Sequence, residues 1–498
     1  MFDLTDIRDR VLRREVSATE VVRDALTRTD ALDSTLGAML QRFDDTAVAA
    51  AADIDRAIDA GDTVGPLAGV SLGIKAILAC REAVPSSQSL VHDPRWWKGR
   101  DAPVVKALRD AGAIIMGHTT MVEHAMGRPD PARPFPIPRN PWDVERWPGG
   151  SSSGTGIGVA AQLFLGGLGT DTAGSVRIPS AMCGITGLQT SRGLLSSDGC
   201  LPAAPSLDVI GPMARSSRDL RLLMQVLAPG FGSASTTPRR RIAVADGLMT
   251  PDRGVSPHVA DRMWDALSVL EQAGYTIESV DLPEFDELVA LTMTIMVREE
   301  FMLHERTLLT RWHEYGRPFR RAAVMGALLP PERYERARSR AAELRGVLAS
   351  RFAAFDAVAT PTWPTGALPY FDNGSMPADQ TNFTAAWNAI GFPALSLPAG
   401  LDEHGMPIAL QLVGPPGTDS ALIDLGEVMQ AGSGWHRQMP PLDRLPSAIP
   451  TIPDPDAGLT VSGDHGEAVR ALRSMGFAID GADAAVITAA SRLFMPRD

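Results

Sequence analysis

The sequence predicts an α/β protein built around a largely parallel or mixed β-sheet. From residue 66 onward, short apolar runs typical of buried strands alternate with segments whose apolar residues recur at helical spacing. Strands interleaved with helices favour a sheet that is covered by helices. The predicted strands lie at residues 113–116, 242–245, 276–280, 355–359, 394–397 and 408–413.

Capping residues mark where the predicted helices begin. Ser17 and Glu20 form the S-x-x-E pattern of a capping box at the start of an N-terminal helix. Ser256 and Pro257 occupy the N-cap and the first position of another helix, and Thr418 is expected to cap a third. Further helical patterns cover residues 44–60, 102–111, 288–350, 467–476 and 482–492.

Composition and charge exclude several classes of function. The chain has 498 residues, of which 44% are hydrophobic and 21% are charged, so it can bury a large core. Its net charge is −12 and it has no dense cluster of lysine and arginine, which argues against binding to nucleic acids or anionic membranes. We therefore expect no nucleic-acid partner and no membrane partner.

The cysteines and the apolar segments predict the compartment. Three cysteines without a C-x-x-C pair do not make a disulfide framework. The first residues lack the apolar stretch of a signal peptide, and the apolar run 157–169 is shorter than the ~20 residues that a transmembrane helix needs. These observations predict a cytoplasmic protein.

The most unusual part of the chain is rich in glycine and serine and covers residues 149–156 and 169–180. A flexible linker has a similar composition, but Trp147 and the apolar run 157–165 flank the first stretch and predict that it is buried. Buried N–H groups and hydroxyls need partners, so such a loop can bind an anion or an oxyanion. Nucleotide binding is disfavoured, because the glycines at 154–158 lack the dinucleotide spacing and no phosphate-loop motif occurs.

A hydrolase requires a nucleophile, a base and donors for the oxyanion. None of the nine histidines lies in the Gly/Ser segment, so a lysine is considered as the base. Lys75 lies in the apolar run 72–79, where burial would favour its neutral form. A structural ion pair or a snorkelling side chain would also explain a lysine there, and the residues by themselves leave these interpretations open.

Two groups of histidine and glutamate have the residue types of a metal site. His118 and His124 lie near Glu123, and Glu300 and His304 are four residues apart. Neither group has the H-E-x-x-H spacing of a helical zinc site, so we expect no metal ion.

Motifs in a fixed order along the chain resemble the amidase signature family. The lysine segment GPLAGVSLGIK and the Gly/Ser segment are two of them, and the similarity covers about residues 5–432. The segment after about residue 437 lies outside the similarity. The matching segments lie at residues 65–75, 101–117, 140–142, 149–156, 169–180, 206–208, 211–216, 391–394 and 405–414.

This resemblance implies a single large α/β domain with a central mixed, twisted β-sheet flanked by helices, the amidase-signature fold, and a short C-terminal appendage. We expect the domain to cover residues 1–436, and a Pro-rich strap with a small extension to cover 437–498. The parts expected within the domain are N-terminal helices at 1–62, a catalytic core at 63–230 and 350–432, and a variable helical region at 288–350.

The resemblance also implies a triad of Ser, cis-Ser and Lys. Ser175 matches the nucleophile that attacks the amide carbonyl, Ser151 matches the relay serine beside a cis peptide bond, and Lys75 matches the base. The backbone N–H groups implied for the oxyanion hole belong to Thr172, Ala173, Gly174 and Ser175. The residues expected to support the site are Ser152, Asp171 and Arg177.

The activity that the resemblance implies is hydrolysis of a linear or cyclic carboxylic amide to an acid and an amine or ammonia. We expect an acyl-enzyme on Ser175, a small-molecule amide substrate and no metal or organic cofactor, and we consider a homodimer as the assembly. Two alternatives stay open. One is an amidotransferase-type subunit that releases ammonia for a partner, and the other is a non-catalytic binding protein with the same fold.

Overall fold

One β-sheet of eleven strands runs through the part of the chain that the structure describes. In this computed structural model, those residues are 3–232, 238–370, 382–446, 449–452, 454, 456 and 466–491. The strands are β1 (Met39–Arg42), β2 (Ser71–Lys75), β3 (Ile114–Thr119), β4 (Gly166–Asp171), β5 (Thr186–Gln189), β6 (Val209–Ala214), β7 (Arg241–Val244), β8 (Thr276–Ser279), β9 (Ala357–Pro361), β10 (Ala394–Leu401) and β11 (Pro407–Val413).

Parallel and antiparallel pairs both occur in this sheet, whose strand order is β1-β3-β2-β4-β6-β5-β10-β11-β9-β7-β8. β2 pairs in parallel with β3 on one side and β4 on the other, and β7 pairs in parallel with β8 and β9. The other pairs are antiparallel. The sheet is therefore mixed, which confirms the predicted fold class.

Helices surround the sheet, and none of those in the described residues combines the length and the apolar character needed to cross a membrane. The described α-helices are α1 (Leu4–Leu12), α2 (Ala18–Leu36), α3 (Asp44–Ala60), α4 (Pro103–Asp110), α5 (Ser153–Ala160), α6 (Arg177–Cys183), α7 (Ser217–Leu227), α8 (Pro257–Gln272), α9 (Phe285–Arg311), α10 (Arg317–Val324), α11 (Pro331–Phe352), α12 (Ala385–Ile390), α13 (Asp419–Ser433), α14 (Glu467–Ser474) and α15 (Gly481–Ser491).

Two predicted helix starts have the expected capping contacts. Ser17 Oγ accepts the Glu20 N–H at 3.0 Å, and the Glu20 carboxylate accepts the Ser17 N–H at 2.8 Å. Ser256 Oγ accepts an N–H of the first turn of α8 at 3.3 Å. Thr418 occupies the N-cap position of α13, as predicted, but the expected side-chain cap is wrong: its hydroxyl donates to the Pro415 carbonyl and caps no N–H of α13 within the described residues.

Glycines allow β4 to pack closely beside β2 and the Gly/Ser segment. A Cβ atom on Gly167 would collide with the Gly73 carbonyl of β2, and one on Gly169 would collide with the Ser152 side chain. β4 is absent from the predicted strands, because half of its six residues are glycines and it has no apolar alternation. The close approach of three chain segments therefore depends on residues that individually disfavour a strand.

The C-terminal helices pack on α9, on α10 and on the segment that connects α10 to α11. Leu472 and Phe477 lie in one buried apolar cluster with Trp312, which follows α9. Asp483 of α15 forms a buried ion pair with Arg321 of α10 at 2.6 Å. The division of the chain into a domain and an appendage at residue 436 stays a prediction.

Candidate active site

Lys75 is the last residue of β2, an interior strand between β3 and β4. Its exposed fraction is 0%. Its Nζ donates to Ser151 Oγ and to Thr170 Oγ1, each at 2.7 Å. Burial lowers the pKa of Lys75 from 10.5 to about 7, against the opposing effect of nearby acidic groups. A substantial share of this lysine is therefore the free base near neutral pH.

The Gly/Ser segment brings Ser151 to this lysine and joins it to the turn that carries Ser175. The peptide bond between Gly150 and Ser151 is cis. The next residue, Ser152, accepts the Thr170 N–H through its Oγ at 3.3 Å and donates its own N–H to the Ser175 carbonyl at 3.2 Å. Lys75 and the two serines of the implied triad consequently lie on three adjoining segments: the end of β2, the loop before α5 and the turn before α6.

The carboxylate of Asp171, the last residue of β4, binds backbone N–H groups of the turn that follows. It accepts the N–H groups of Gly174 at 2.8 Å and Val176 at 3.1 Å, and it forms an ion pair with Arg177 at 2.9 Å. Both side chains are fully buried. Burial would raise the pKa of Asp171, but the charge and hydrogen bonds of Arg177, with a hydrogen bond from Asn388, outweigh burial and lower the pKa.

Arg177 ties this turn to elements that follow much later in the chain. Its guanidinium donates to Asn388 Oδ1 in α12 at 2.7 Å and to Gln411 Oε1 in β11 at 2.7 Å. It also donates to the Thr384 carbonyl at 2.9 Å. A planar guanidinium with five fixed donors suits such a position, because one side chain can hold several acceptors at once.

One of the four N–H groups that the resemblance implied for an oxyanion hole already has a partner within the turn. The Gly174 N–H donates to Asp171 Oδ1, so the expectation for Gly174 is corrected: this group is already bonded. Gly174 has a φ of +123°, and a Cβ atom there would collide with the Thr384 hydroxyl. The implied donors whose N–H groups make no hydrogen bond to a described residue are Thr172, Ala173 and Ser175.

Two polar residues that the sequence did not point to as site residues lie against this centre. Thr170 binds the Lys75 amine, as described above. Asp208 accepts the Thr172 hydroxyl at 2.6 Å. Burial raises the pKa of Asp208 to about 6, although that hydrogen bond and the charge of Lys75 act in the opposite direction. Asp208 belongs to the matching segment 206–208 and Thr170 to the matching segment 169–180, so the motifs could have pointed to both residues.

The histidine and glutamate groups considered as metal ligands do not form a metal site in the described residues. No group of three or more His, Cys, Asp and Glu side chains in that part of the chain is arranged to hold an ion. His118 Nε2 lies 3.0 Å from the Leu78 carbonyl oxygen, and burial lowers the pKa of its ring to about 4. His118 thus has a structural partner inside the core.

The fold and the buried lysine–serine pair, taken with known proteins of the same fold, define the class of this protein: it is a hydrolase of carbon–nitrogen bonds. The family model described as Amidase matches residues 20–423. The chain belongs to this amidase family, which confirms the resemblance seen in the sequence.

Relatives of known sequence or structure match the chain over most of its length. A glutamyl-tRNA(Gln) amidotransferase subunit from Symbiobacterium thermophilum is 32% identical over 475 residues, which cover 86% of this chain and 96% of the relative. The structure of a peptide amidase from Stenotrophomonas maltophilia has a TM-score of 0.74 at 26% identity and covers 89% of this chain and 98% of its own. Another structure, of an amidase, has a TM-score of 0.80 at 26% identity, with coverages of 86% and 99%.

Proposed function

We propose that the protein hydrolyses a small-molecule carboxylic amide through an acyl-enzyme on Ser175, with Ser151 as the proton relay and Lys75 as the base. The observation that carries this proposal is the 2.7 Å hydrogen bond between Lys75 Nζ and Ser151 Oγ at a buried position. A lysine with a pKa of about 7 can accept a proton near neutral pH, which an exposed lysine cannot do efficiently.

In this mechanism, Ser175 Oγ bonds to the amide carbonyl carbon while its proton passes to Ser151, and Ser151 passes its own proton to Lys75 Nζ. The carbonyl π electrons move to the oxygen and form a tetrahedral intermediate. The carbon–nitrogen bond then breaks, and the relay returns the proton to the leaving nitrogen, which departs as amine or ammonia. Water attacks the ester on Ser175 through the same relay, and this releases the acid and restores the serine.

Backbone donors stabilise the negative charge that develops on the carbonyl oxygen. The proposed donors are the N–H groups of Thr172, Ala173 and Ser175. The ion pair of Asp171 with Arg177 holds this turn in place, because three backbone N–H groups of the turn and the guanidinium bond to one carboxylate. Ser152 joins the turn to the relay loop through its N–H.

Substitution of the nucleophile tests the proposal. Ser175→Ala should lower amide hydrolysis by at least ~1,000-fold and abolish labelling by a serine-directed fluorophosphonate, because it removes the oxygen that forms the proposed acyl-enzyme. Ser196→Ala is the matched control: Ser196 is exposed, accepts only a local N–H from Asp198, and should leave both readouts unchanged. Substantial hydrolysis by a clean Ser175→Ala preparation would show that another group is the nucleophile.

The similarity to a glutamyl-tRNA(Gln) amidotransferase subunit supports a second candidate, a chain that releases ammonia for a partner. The two candidates differ in whether the chain works alone. Purification of the untagged protein from its source cells, followed by identification of stoichiometric co-purifying chains, separates them. Amide hydrolysis at full rate by the isolated chain supports the first candidate, whereas dependence on a second protein supports the other.

We further propose a cytoplasmic enzyme that binds neither nucleic acid nor membranes and assembles as a homodimer. Three free cysteines support the cytoplasmic location, since disulfides are rare there. The net charge of −12 supports the absence of polyanionic partners. Cell fractionation tests the location, and light scattering of the purified chain tests the homodimer.

A further inference from the structure

Asp208 lies beside the proposed oxyanion turn and takes no part in the mechanism above. The antiparallel pairing of β4 with β6 reaches Asp171 and Val209, so Thr172 and Asp208 lie opposite each other just beyond the last pair. The Thr172 hydroxyl donates to Asp208 Oδ1 at 2.6 Å. A side-chain contact thus joins the two segments at the point where the turn with the proposed oxyanion donors begins.

The carboxylate of Asp208 is itself fixed by the chain that precedes β6. The Ala203 N–H donates to Oδ2 at 2.9 Å, and the Ala204 nitrogen lies 3.1 Å from Oδ1 and 3.0 Å from Oδ2. The Asp208 N–H in turn donates to the Ala204 carbonyl at 2.9 Å. Hydrogen bonds from N–H groups to a carboxylate are stronger than those between neutral groups. Asp208 is therefore an acceptor with a fixed position.

Asp208 belongs to a segment that also contacts the loop after β2, the strand of the proposed base. The Leu201 N–H donates to the Ile77 carbonyl at 2.9 Å, and the Ala79 N–H donates to the Gly199 carbonyl at 2.8 Å. The same segment therefore borders the loop of the proposed base at one end and the proposed oxyanion turn at the other.

We propose that Asp208 is a positioning residue: its carboxylate holds the Thr172 hydroxyl, so that the Thr172 N–H keeps the orientation in which it binds the developing oxyanion. This inference rests on the proposed amide hydrolysis. Thr172 is 2% exposed, and its N–H makes no hydrogen bond to a described residue. The side-chain contact thus fixes the residue and leaves its N–H available. Donors that are held in place before the reaction stabilise the transition state most.

Asp208 is ionised at the pH where the proposed base is free. Burial raises the pKa of Asp208 to about 6, against the hydrogen bonds from Thr172, Ala203 and Ala204 and the charge of Lys75. At pH 8, the group is therefore a carboxylate, which is the form that accepts all of these hydrogen bonds.

The charge of Asp208 supplies a readout that a purely structural contact would not change. Burial lowers the pKa of Lys75, and Cys200, Asp208 and Asp171 oppose this effect. Burial raises the pKa of Cys200 far above neutral, so its thiol is uncharged near pH 7. Asp171 is paired with Arg177. Removal of the Asp208 charge should therefore lower the pKa of Lys75 further.

Two other ionisable groups respond to the charge of Asp208. Burial and Asp208 raise the pKa of Glu300 well above its usual range. Burial lowers the pKa of Arg192 to about 10, so Arg192 keeps its charge near neutral pH. Glu300→Gln tests the first group and should leave the midpoint of the pH profile at its wild-type value. A shift equal to that in Asp208→Asn would assign the profile to Glu300 instead and contradict the effect of Asp208 on Lys75.

Asp208→Asn tests the proposal, because it keeps the size of the side chain, removes its charge and puts an NH2 group among N–H and O–H donors. On the plateau of the pH profile, kcat should fall by ~10-fold or more while KM changes by less than ~3-fold, because the donor acts on the transition state. The midpoint of the rising limb of kcat/KM should move to lower pH. Wild-type kcat in the folded variant would overturn the proposal, and an unmoved midpoint would contradict the effect of its charge on Lys75.

Asp219→Asn is the matched control. Asp219 is fully buried and accepts the Thr5 N–H at 2.9 Å and the Thr5 hydroxyl at 2.8 Å, so it makes the same kind of contact on a different element, α7. It should keep the wild-type kcat and midpoint. An equal loss of kcat in the Asp208 and Asp219 variants would indicate a general loss of structure and overturn the positioning role.

Variants of Thr172 test the proposal even if Asp208→Asn fails to fold. Thr172→Val removes the hydroxyl but keeps the shape and the N–H, whereas Thr172→Ser keeps the hydroxyl. The plateau kcat of Thr172→Ser should exceed that of Thr172→Val by ~10-fold or more. Equal values would overturn the role of Asp208 and leave the hydrolase mechanism intact. Failure of that mechanism has a different result, because hydrolysis would then persist in Ser175→Ala.

Discussion

Ser151 Oγ lies 2.7 Å from Lys75 Nζ, and neither residue has more than marginal contact with solvent. This pair differs from an ordinary lysine hydrogen bond because burial has moved the pKa of the amine to about 7. The amine can therefore exchange its role between donor and acceptor near neutral pH. Thr170 Oγ1 accepts a hydrogen bond from the same amine. This second contact restricts the orientation of the amine beside Ser151.

The pH dependence of kcat/KM should report the ionisation of Lys75. The lowered pKa of about 7 means that the free base forms as pH rises through 7, so activity should rise along a limb with its midpoint there and reach a plateau above it. Lys75→Ala should lower kcat/KM by several orders of magnitude. Lys75→Arg should not restore it, because guanidinium stays protonated. The measurement is kcat/KM against pH for one activated and one ordinary amide.

The control for this profile is the Lys75→Ala variant itself. If it keeps the rising limb at a comparable rate, another group is the base. An activated amide, whose leaving group needs less protonation, should show a smaller loss than an ordinary amide.

Ser151 and Ser175 should behave as one unit under mutation. Ser151→Ala should cost nearly as much kcat as Ser175→Ala, and the double variant should be little worse than either, because removal of one member already interrupts the proton path. Single-turnover assays of the three variants and the wild type complete a double-mutant cycle. Multiplicative losses would show that Ser151 is outside the relay.

Asp171→Asn should lower both stability and turnover. The substitution leaves the fully buried guanidinium of Arg177 without its anion, which typically costs about 3–5 kcal/mol in the free energy of unfolding. It also weakens the acceptor that holds the Gly174 N–H. Urea unfolding and kcat on the folded variant measure the two effects.

The matched control is Asp286→Asn, which breaks an ion pair to Arg253 at a carboxylate whose side chain is 68% exposed. Exposed pairs contribute only ~0–1 kcal/mol, so this variant should unfold close to the wild type. Equal stability of the Asp171 and Asp286 variants would contradict the structural role assigned to the buried pair.

The C-terminal helices should contribute stability and not chemistry. Asp483 is fully buried and accepts hydrogen bonds from Arg321 Nε at 2.6 Å and Trp312 Nε1 at 2.9 Å. Asp483→Asn should therefore lower the free energy of unfolding by about 3–5 kcal/mol. The midpoint of the pH–activity limb should not move, because the residue lies outside the proposed relay.

Asp480→Asn serves as the control in the same segment, since that carboxylate is 45% exposed and lies 3.4 Å from Arg320. It should change the unfolding free energy by less than about 1 kcal/mol. A folded Asp483 variant, or a folded truncation after residue 444, that loses all turnover would instead place the C-terminal segment at the active site.

Features that depend on local contacts and on motif order could be predicted from the sequence. The capping box of Ser17 and Glu20 involves residues three positions apart, so their spacing was sufficient. The alternation of strands and helices indicated an α/β fold, because periodicity records which face of an element is buried. The ordered motifs indicated the amidase family by resemblance. The cap assigned to Thr418 failed, because its hydroxyl had a competing carbonyl within the same turn.

The triad residues were predicted by resemblance, and their catalytic roles stay predictions. The sequence alone determined the fold class, the family and the segments that carry the site. Only the tertiary structure decided that Thr170 binds Lys75, that Asp171 accepts the Gly174 N–H, and that Arg177 bonds to Asn388 and Gln411. The physical reason is that these contacts join segments far apart in the chain, so their distances depend on how the whole sheet and its helices pack.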